Sequence, residues 1–477
     1  MPRNSKRSTS IRFRIARSTV NYFRLIYQTF NLDIFELNPT ASYPEFEKGL
    51  LATLKPYRRP HAFLPRTLGF AAAIARSAKS VFENARPIPF NANQPLFVAS
   101  TTNQKLAIRP IFDEMTTDSF WFDEQCKECV STHANRLRIP FIPLVMLKAL
   151  LSKGYRRKSF RHSVATYCEI HGTYLAFRLA FASSRPSCIV ISNDHSAFFR
   201  TLEQAARHSN IPTIYVQHAC VAEHFPPLNF DYALLDGQDA AEKYANKASR
   251  SKVFLVGISK YSKSENESRW TGSPKRIGLC CNALDQTAST IEIITTIQKS
   301  LPDFEIHLRL HPSTPASEVD KLIRKCPAGS VVRNDAKTVN SFAFCKSVDV
   351  IICGPSSMML EAAMAETPVI TVETDSNTDV YGFQKHGLCQ TATSAHDLSN
   401  LIADIETRDR GAFRKAISYF CEGFNSPSRP QASSLAATLI ENISNRQQIP
   451  TNWKQSKKHG WWRYSSNEPE LEAETTA

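Results

Sequence analysis

Nowhere in the 477 residues is there a run of roughly 18 consecutive apolar residues, the length a membrane-spanning helix needs. The N-terminus also lacks the apolar core and small-residue cleavage site of a secretory leader, so a cytoplasmic protein is expected. Twelve cysteines in a chain this long do not make a disulfide framework. Cys188, Cys280 and Cys353 sit inside apolar runs as small core residues. Cys126, Cys129 and His133 fall along one helical face, but structural zinc needs four ligands and no fourth lies near, so no metal is expected. No internal repeat and no long low-complexity tract appear, which excludes solenoids and fibrous arrays. Helix-turn-helix, zinc-finger and RNA-recognition signatures are missing too, which removes specific nucleic-acid binding as the leading expectation.

What is present is an ordinary globular composition, 42% hydrophobic and 21% charged, in a chain longer than one core usually organises. Two folded domains with a cleft between them are therefore expected. The formal charge of +14, from 58 Lys and Arg against 44 Asp and Glu, calls for an anionic partner: a phosphorylated substrate, an acidic lipid surface or nucleic acid. Seven basic residues and no acid stand between Arg3 and Arg24. Behind them Tyr22, Phe23, Ile26, Tyr27 and Phe30 form an apolar stripe at helical spacing. This segment reads either as an amphipathic helix on an anionic membrane or as a first helix packed on the domain. Trp453, Lys454, Lys457, Lys458, Trp461, Trp462 and Arg463 interleave aromatics with cations near the other end, favouring peripheral contact with the inner face of the cytoplasmic membrane.

Between 63 and 161 the pattern is mostly helical. From Ser187 it changes: Cys188–Ser192 and Pro212–Gln217 read as buried strands around a helix at Ala197–His208, and a further strand at Tyr232–Leu235 extends a parallel sheet. The polar stretch 259–275 separates this from a second alternating series, with strands near 276–281, 305–310, 348–353 and 368–372. The expected layout is a helical N-terminal extension (1–62), an α/β domain (63–258), a linker (259–275), a second α/β domain (276–446) and a basic-aromatic, then acidic tail (447–477). Both domains are expected to be Rossmann-like and doubly wound.

In open α/β sheets ligands bind beyond the carboxyl ends of the strands, which raises the standing of four positions. Gly354-Pro355-Ser356-Ser357 opens a helix, where backbone N–H groups, hydroxyls and the helix dipole suit a phosphate. Glu361, one turn further, is within reach of a ribose hydroxyl. The competing reading makes Ser356 a helix cap and Glu361 a solvated side chain. Arg309, His311 and Pro312 end a strand and offer a guanidinium and an imidazole to a leaving phosphate; a structural histidine is the alternative. His218, after Gln217, has the near-neutral pKa of a general base. Asp194 orients that imidazole, acts as base itself, or caps the following helix.

Together the stretches SNDHSAFFRTLEQAARHSNIPTIYVQHA, LRLHP and VDVIICGPSSMMLEAAMAETPVI resemble the capsule polysaccharide biosynthesis and CDP-glycerol glycerophosphotransferase group of GT-B transferases. More loosely they resemble bacterial sialyltransferases and polysialyltransferases. The resemblance runs from about 187 to 430. It implies a GT-B architecture, with His218 as catalytic histidine, His311 at the donor phosphate, Ser356 and Ser357 as donor-phosphate serines, and Glu361 at the family's acidic position. Ala219 stands where that family usually has glycine, which predicts a different loop conformation or a different approach of the acceptor. The expected activity is inverting, metal-independent transfer of a sugar or polyol phosphate from a CMP-, CDP- or UDP-linked donor to a polysaccharide or lipid-linked acceptor, without a cofactor. A nucleotide-sugar epimerase of the same fold is one alternative, and a non-catalytic basic protein binding nucleic acid or polysaccharide is another.

Overall fold

The computed structural model describes residues 24–38, 63–83, 86–261 apart from 224, 246 and 248, 275–281, 287–372 apart from 313 and 328, and 379–465 apart from 425 and 427. Most of the basic leader, Tyr22 and Phe23, most of the expected 259–275 linker and the acidic tail lie outside the described residues. By internal contacts the chain divides into two units, one of residues 1–48, 59–98 and 118–213, the other of 49–58, 99–117 and 214–477.

In the first unit, strands β1 (Leu96–Val98), β2 (Phe120–Trp121) and β3 (Ile189–Ile191) pair in parallel in the order β2-β1-β3. The sequence pattern showed neither β1 nor β2, because two or three residues are too few for an alternating period to register. Helices dominate this unit. That of Gly154–Ser183 is 30 residues long, and its Phe177 and Phe181 join Phe90, Phe122 and Phe198 in an aromatic cluster. The stripe of the first helix packs on this unit: the Phe30 ring lies 5.6 Å from Phe141, Phe35 lies 5.1 Å from Tyr167, and Leu32, Ile34 and Leu37 are buried. Both described aromatics of the stripe keep much solvent contact, Tyr27 at 71% exposure and Phe30 at 49%.

The second unit carries strands of two sheets. The first comprises β4 (Thr213–Val216), β5 (Tyr232–Leu235) and β6 (Lys252–Leu255), all parallel. The second runs β12-β11-β10-β7-β8-β9, entirely parallel, with β7 Arg276–Cys280, β8 Glu305–Arg309, β9 Val332–Asn334, β10 Val350–Cys353, β11 Val369–Val372 and β12 Gln390–Ala392. Renumbered within this sheet the order is 3-2-1-4-5-6, the doubly wound dinucleotide-binding arrangement, whose switch point falls between β7 and β10. The α/β class expected from the sequence is the class the structure has. Strands β10 (VIIC) and β11 (VITV) are mostly aliphatic and almost wholly buried, as strands covered on both faces are.

The tryptophan-rich end is part of the first sheet. Strands β13 (Trp453–Gln455) and β14 (Trp462–Tyr464) form an antiparallel hairpin whose β14 pairs in parallel with β6. Trp453 and Trp461 are each only 4% exposed, and Trp462 stacks on Phe254 with ring centroids 5.8 Å apart. These aromatics therefore serve the core rather than stand out as a membrane-facing belt. Among the described residues, no helix is long and apolar enough to cross a membrane.

Candidate active site

At the end of β4 the Gln217 side chain knits two strand ends together. Its Oε1 accepts the Asp236 N–H at 3.0 Å and its Nε2 donates to the Ala219 carbonyl at 3.0 Å. His218 is carried on the bend between these two bonds. Ala219 has no positive φ, since the non-glycine residues in that region are Asn93, Asn210, Glu366 and Arg446. The backbone here makes no demand that only glycine could meet.

Asp236, the residue after β5, is held from the other side as well. Its carbonyl accepts the Glu422 N–H at 2.7 Å, and the crossing segment lies so close to Gly237 that a Cβ there would sit 2.5 Å from the Phe420 carbonyl carbon. Gly257, after β6, has φ +89 and faces the Glu422 carbonyl in the same way. Arg429 completes the knot, donating to the Leu255 carbonyl at 2.7 Å and pairing with Glu422 at 3.3 Å. The Asp236 carboxyl is thereby fixed in a dry position. Burial pushes its pKa well above the usual carboxylate range, and the nearby Lys260 only partly opposes this.

The second sheet contributes the helix Ser357–Met364 that follows β10. Ser356 is its N-cap in extended conformation, but its hydroxyl makes no capping bond, so capping is not what that side chain does. Glu361 is not solvated either: it is 8% exposed and accepts from Lys260 Nζ at 2.7 Å. Burial alone would raise the Glu361 pKa. The Lys260 ammonium, with the hydroxyls of Ser341 and Tyr261, more than offsets this and holds it below the ordinary glutamate value. Lys260 feels the reverse: desolvation works against its charge, and Glu361 overrides it to raise the pKa.

These groups converge on one hollow within the second unit, lined by His218, Asp236, Ser259, Lys260, Ser357 and Glu361, with Ala107, Cys220, Ile258 and Leu360 as its apolar wall. Ser259 is anchored there by donating to the Ala107 carbonyl at 2.5 Å. Cys220 is no nucleophile, because burial pushes its thiol up to about 12. The hollow is narrow. The space open to water-sized centres is about 10 Å³, the room of roughly one water.

The remaining sequence-derived positions lie elsewhere. Arg309 is buried beneath its strand end, donating to Asn334 Oδ1 at 2.8 Å and to the Val339 carbonyl at 2.9 Å, with its guanidinium 5.2 Å over the Phe344 ring. His311 and Pro312 follow β8 and are exposed, and partial desolvation lowers the His311 pKa. They stand on the same edge of the second sheet as Gly354, because Arg309, Cys280 and Cys353 are in register, two strands and about 10 Å apart. Asp194 belongs to the first unit, is fully buried and bonds His195 Nδ1 at 2.8 Å. The N-cap of the following helix is Ser196, and Asn193 Oδ1 takes the N–H groups of His195 and Ser196. Cys126 and Cys129 are buried and His133 bonds the Arg86 carbonyl at 2.9 Å. Among the described residues, no three His, Cys, Asp or Glu side chains are grouped as a metal would need.

Sequence reasoning passed over Asp236, Ser259 and Lys260. The signal was available, since Asp236 directly follows β5 and Ser259 and Lys260 follow β6, the same strand-end rule that selected His218.

No family model matches the chain, and no curated protein matches it in sequence. Solved structures with some likeness include a putative UDP-N-acetylglucosamine 2-epimerase from Listeria monocytogenes, 11% identical with a TM-score of 0.49 over 75% of this chain and 98% of that one. Another is CalG4, the calicheamicin glycosyltransferase, 10% identical with a TM-score of 0.48 over 75% of this chain and 99% of that one. A third is the UDP-GlcNAc 2-epimerase from Neisseria meningitidis bound to UDP-GlcNAc, 11% identical with a TM-score of 0.45 over 74% and 100%. Likenesses of this size assign neither a reaction nor a residue role to the chain.

Proposed function

We propose that the chain is a GT-B enzyme acting on a nucleotide-activated sugar, and within that class a glycosyltransferase that passes a sugar or polyol phosphate from a CMP-, CDP- or UDP-linked donor to a polysaccharide or lipid-linked acceptor. The observation that carries this is the convergence of His218, borne by the first sheet, with Ser357 and Glu361, borne by the nucleotide-type second sheet, on a single hollow. A base and a phosphate-binding helix N-terminus facing one volume are the minimal parts of such a transfer.

In this reading His218 takes the proton of the acceptor hydroxyl as that oxygen attacks the sugar's anomeric carbon and the nucleotide leaves through its phosphate oxygen, or, with a CDP-polyol, attacks the β-phosphorus and CMP leaves. Asp236, whose pKa burial raises, is the group placed to give a proton to a leaving oxygen. Charge building on the leaving phosphate meets the Ser356–Ser357 helix terminus, the Lys260 ammonium and His311, so the reaction calls for no metal. Arg309 holds the strand end that presents His311. A nucleotide enters only if the hollow widens, and the Lys260–Glu361 pair is where an incoming phosphate competes directly for the ammonium.

A thermal-shift screen with CMP, CDP, UMP and UDP tests the first claim, because a ligand bound only by the folded state raises its stability. One nucleotide should raise the melting temperature, and His218→Ala should leave that rise in place while abolishing turnover. Conversion of a nucleotide sugar to its isomer without any acceptor would replace transfer with epimerisation. Absence of any nucleotide effect would overturn the reading as a whole.

A further inference from the structure

The first unit has a second cleft, remote in function from the hollow and formed where the first helix meets the long helix and the helix Ala197–His208. About 290 Å³ of space is open there to water-sized centres, near the lower bound of small-molecule sites. Its walls are an aromatic ring and planar amides: Tyr27, Gln28, Asn31, Gln204 and His208, with the carboxylates of Asp33 and Glu36 at its margin. We infer that this cleft binds a neutral, hydroxyl-rich ligand, a segment of glycan, with the Tyr27 ring as platform and the amides of Gln28, Asn31 and Gln204 reading its hydroxyls.

Three observations select that class of ligand. First, Tyr27 is 71% exposed although its neighbours Phe30 and Phe35 contact other rings, so its face is offered to the cleft and to solvent. A flat amphipathic ring matches the C–H face of a sugar. Second, the polar groups are held in place from behind. Gln28 Oε1 accepts from Arg178 at 2.7 Å, Tyr174 OH meets His208 Nδ1 at 2.7 Å, and Gln204 Nε2 lies 2.9 Å from His208 Nε2. Amides both donate and accept, as vicinal hydroxyls require, and the His208 imidazole, bonded through both nitrogens, holds Gln204 in place. Burial, with Arg178, Arg207 and Arg24 close by, pushes the His208 imidazole down to about 4, so it is neutral at physiological pH.

Third, charge argues against the other occupants. Among the described residues no lysine or arginine lines the cleft, and Arg178 behind it is already engaged by Gln28 and Tyr174, which disfavours a phosphate or a nucleotide. The Asp33 carboxylate is already met by Arg156 at 3.6 Å and by the N–H groups of Phe35 and Glu36, and Glu36 faces solvent, which leaves little surplus charge for a polyamine. Leu32 and Leu37 are the aliphatic side chains of the wall among the described residues, too few to seat a lipid chain. This inference does not depend on the reaction proposed for the hollow.

The test is saturation-transfer NMR of the full chain with a panel of neutral hexasaccharides built on glucose, mannose, galactose and N-acetylglucosamine. At least one should bind, unaffected by saturating UDP or CMP. Tyr27→Ala and Gln204→Ala should each weaken that binding by roughly tenfold, with the circular dichroism and melting temperature of the Tyr27 variant unchanged because the ring is exposed. Failure of the whole panel to bind would overturn the inference. So would binding that both variants leave intact, or a stronger response to inorganic phosphate or spermidine than to any of the sugars.

Discussion

Lys260→Met is the most informative single change, because it removes the cation from a nearly dry ion pair and leaves its partner in place. The Lys260 and Glu361 side chains are 14% and 10% exposed and 2.7 Å apart, so solvent screens them little. Breaking such a pair from one side costs about 3–5 kcal/mol, because a carboxylate is left buried without its counter-charge. The loss here should lie near the lower end, about 3 kcal/mol, since the Ser341 and Tyr261 hydroxyls still reach Glu361. In the parent the Glu361 pKa is depressed on folding, so its contribution is present above the unfolded value of 4.5 and is lost as pH falls through the folded value. In Lys260→Met, burial prevails and the folded pKa lies above the unfolded one. The variant then gains stability as pH falls towards the unfolded value, while the parent does not. Urea unfolding between pH 7 and pH 4.5 should therefore show a deficit that is largest at neutral pH and shrinks steadily on acidification. The double variant Lys260→Met, Glu361→Leu should recover most of the loss at pH 7, because an apolar pair of similar size costs no charge burial. A deficit below about 1 kcal/mol, or one that stays the same across the pH range, would refute the account of this pair as buried and electrostatically coupled.

Gln217→Ala deletes both bonds that knit the ends of β4 and β5, and the stranded Asp236 N–H should cost about 1–3 kcal/mol in urea unfolding, with turnover falling more than nucleotide affinity because His218 loses its support. Ala219→Gly, by contrast, should change the unfolding free energy by no more than about 1 kcal/mol and leave turnover within about twofold (about 0.4 kcal/mol), since the backbone there is not left-handed. Trp453→Ala should lower stability by roughly 3–5 kcal/mol, read from chemical denaturation, while leaving sedimentation with anionic vesicles unchanged if that ring is core. Arg309→Met should appear in the unfolding midpoint rather than in the affinity for a nucleotide measured by calorimetry, because its guanidinium is bonded to Asn334 and Val339.

Much of this was legible from local pattern. The short apolar stretches at Tyr232–Leu235 and Arg276–Cys280 read as strands, and the rule that ligands gather beyond strand ends picked out His218 and Ser357, which share a hollow with Glu361. The same rule, applied to β5 and β6 as well, would have added Asp236 and Lys260. Strands as short as β1, β2 and β9 left no periodic trace.

What the sequence by itself determined is the alternation of strands and helices, hence the α/β class and the strand-end placement of the polar residues, because periodicity and turn chemistry act within a few residues of chain. The tertiary structure alone decided what each polar group does. Glu361 is a paired buried anion and Arg309 a scaffold cation because Lys260, Asn334 and Val339 reach them across the fold. The Asp236 pKa is raised because Gly237 lets a distant segment close over it. The tryptophans of the hairpin became core because β14 found an open edge beside β6. Burial and counter-charge are properties of neighbours in space, and neither distance nor dielectric is written in the order of residues.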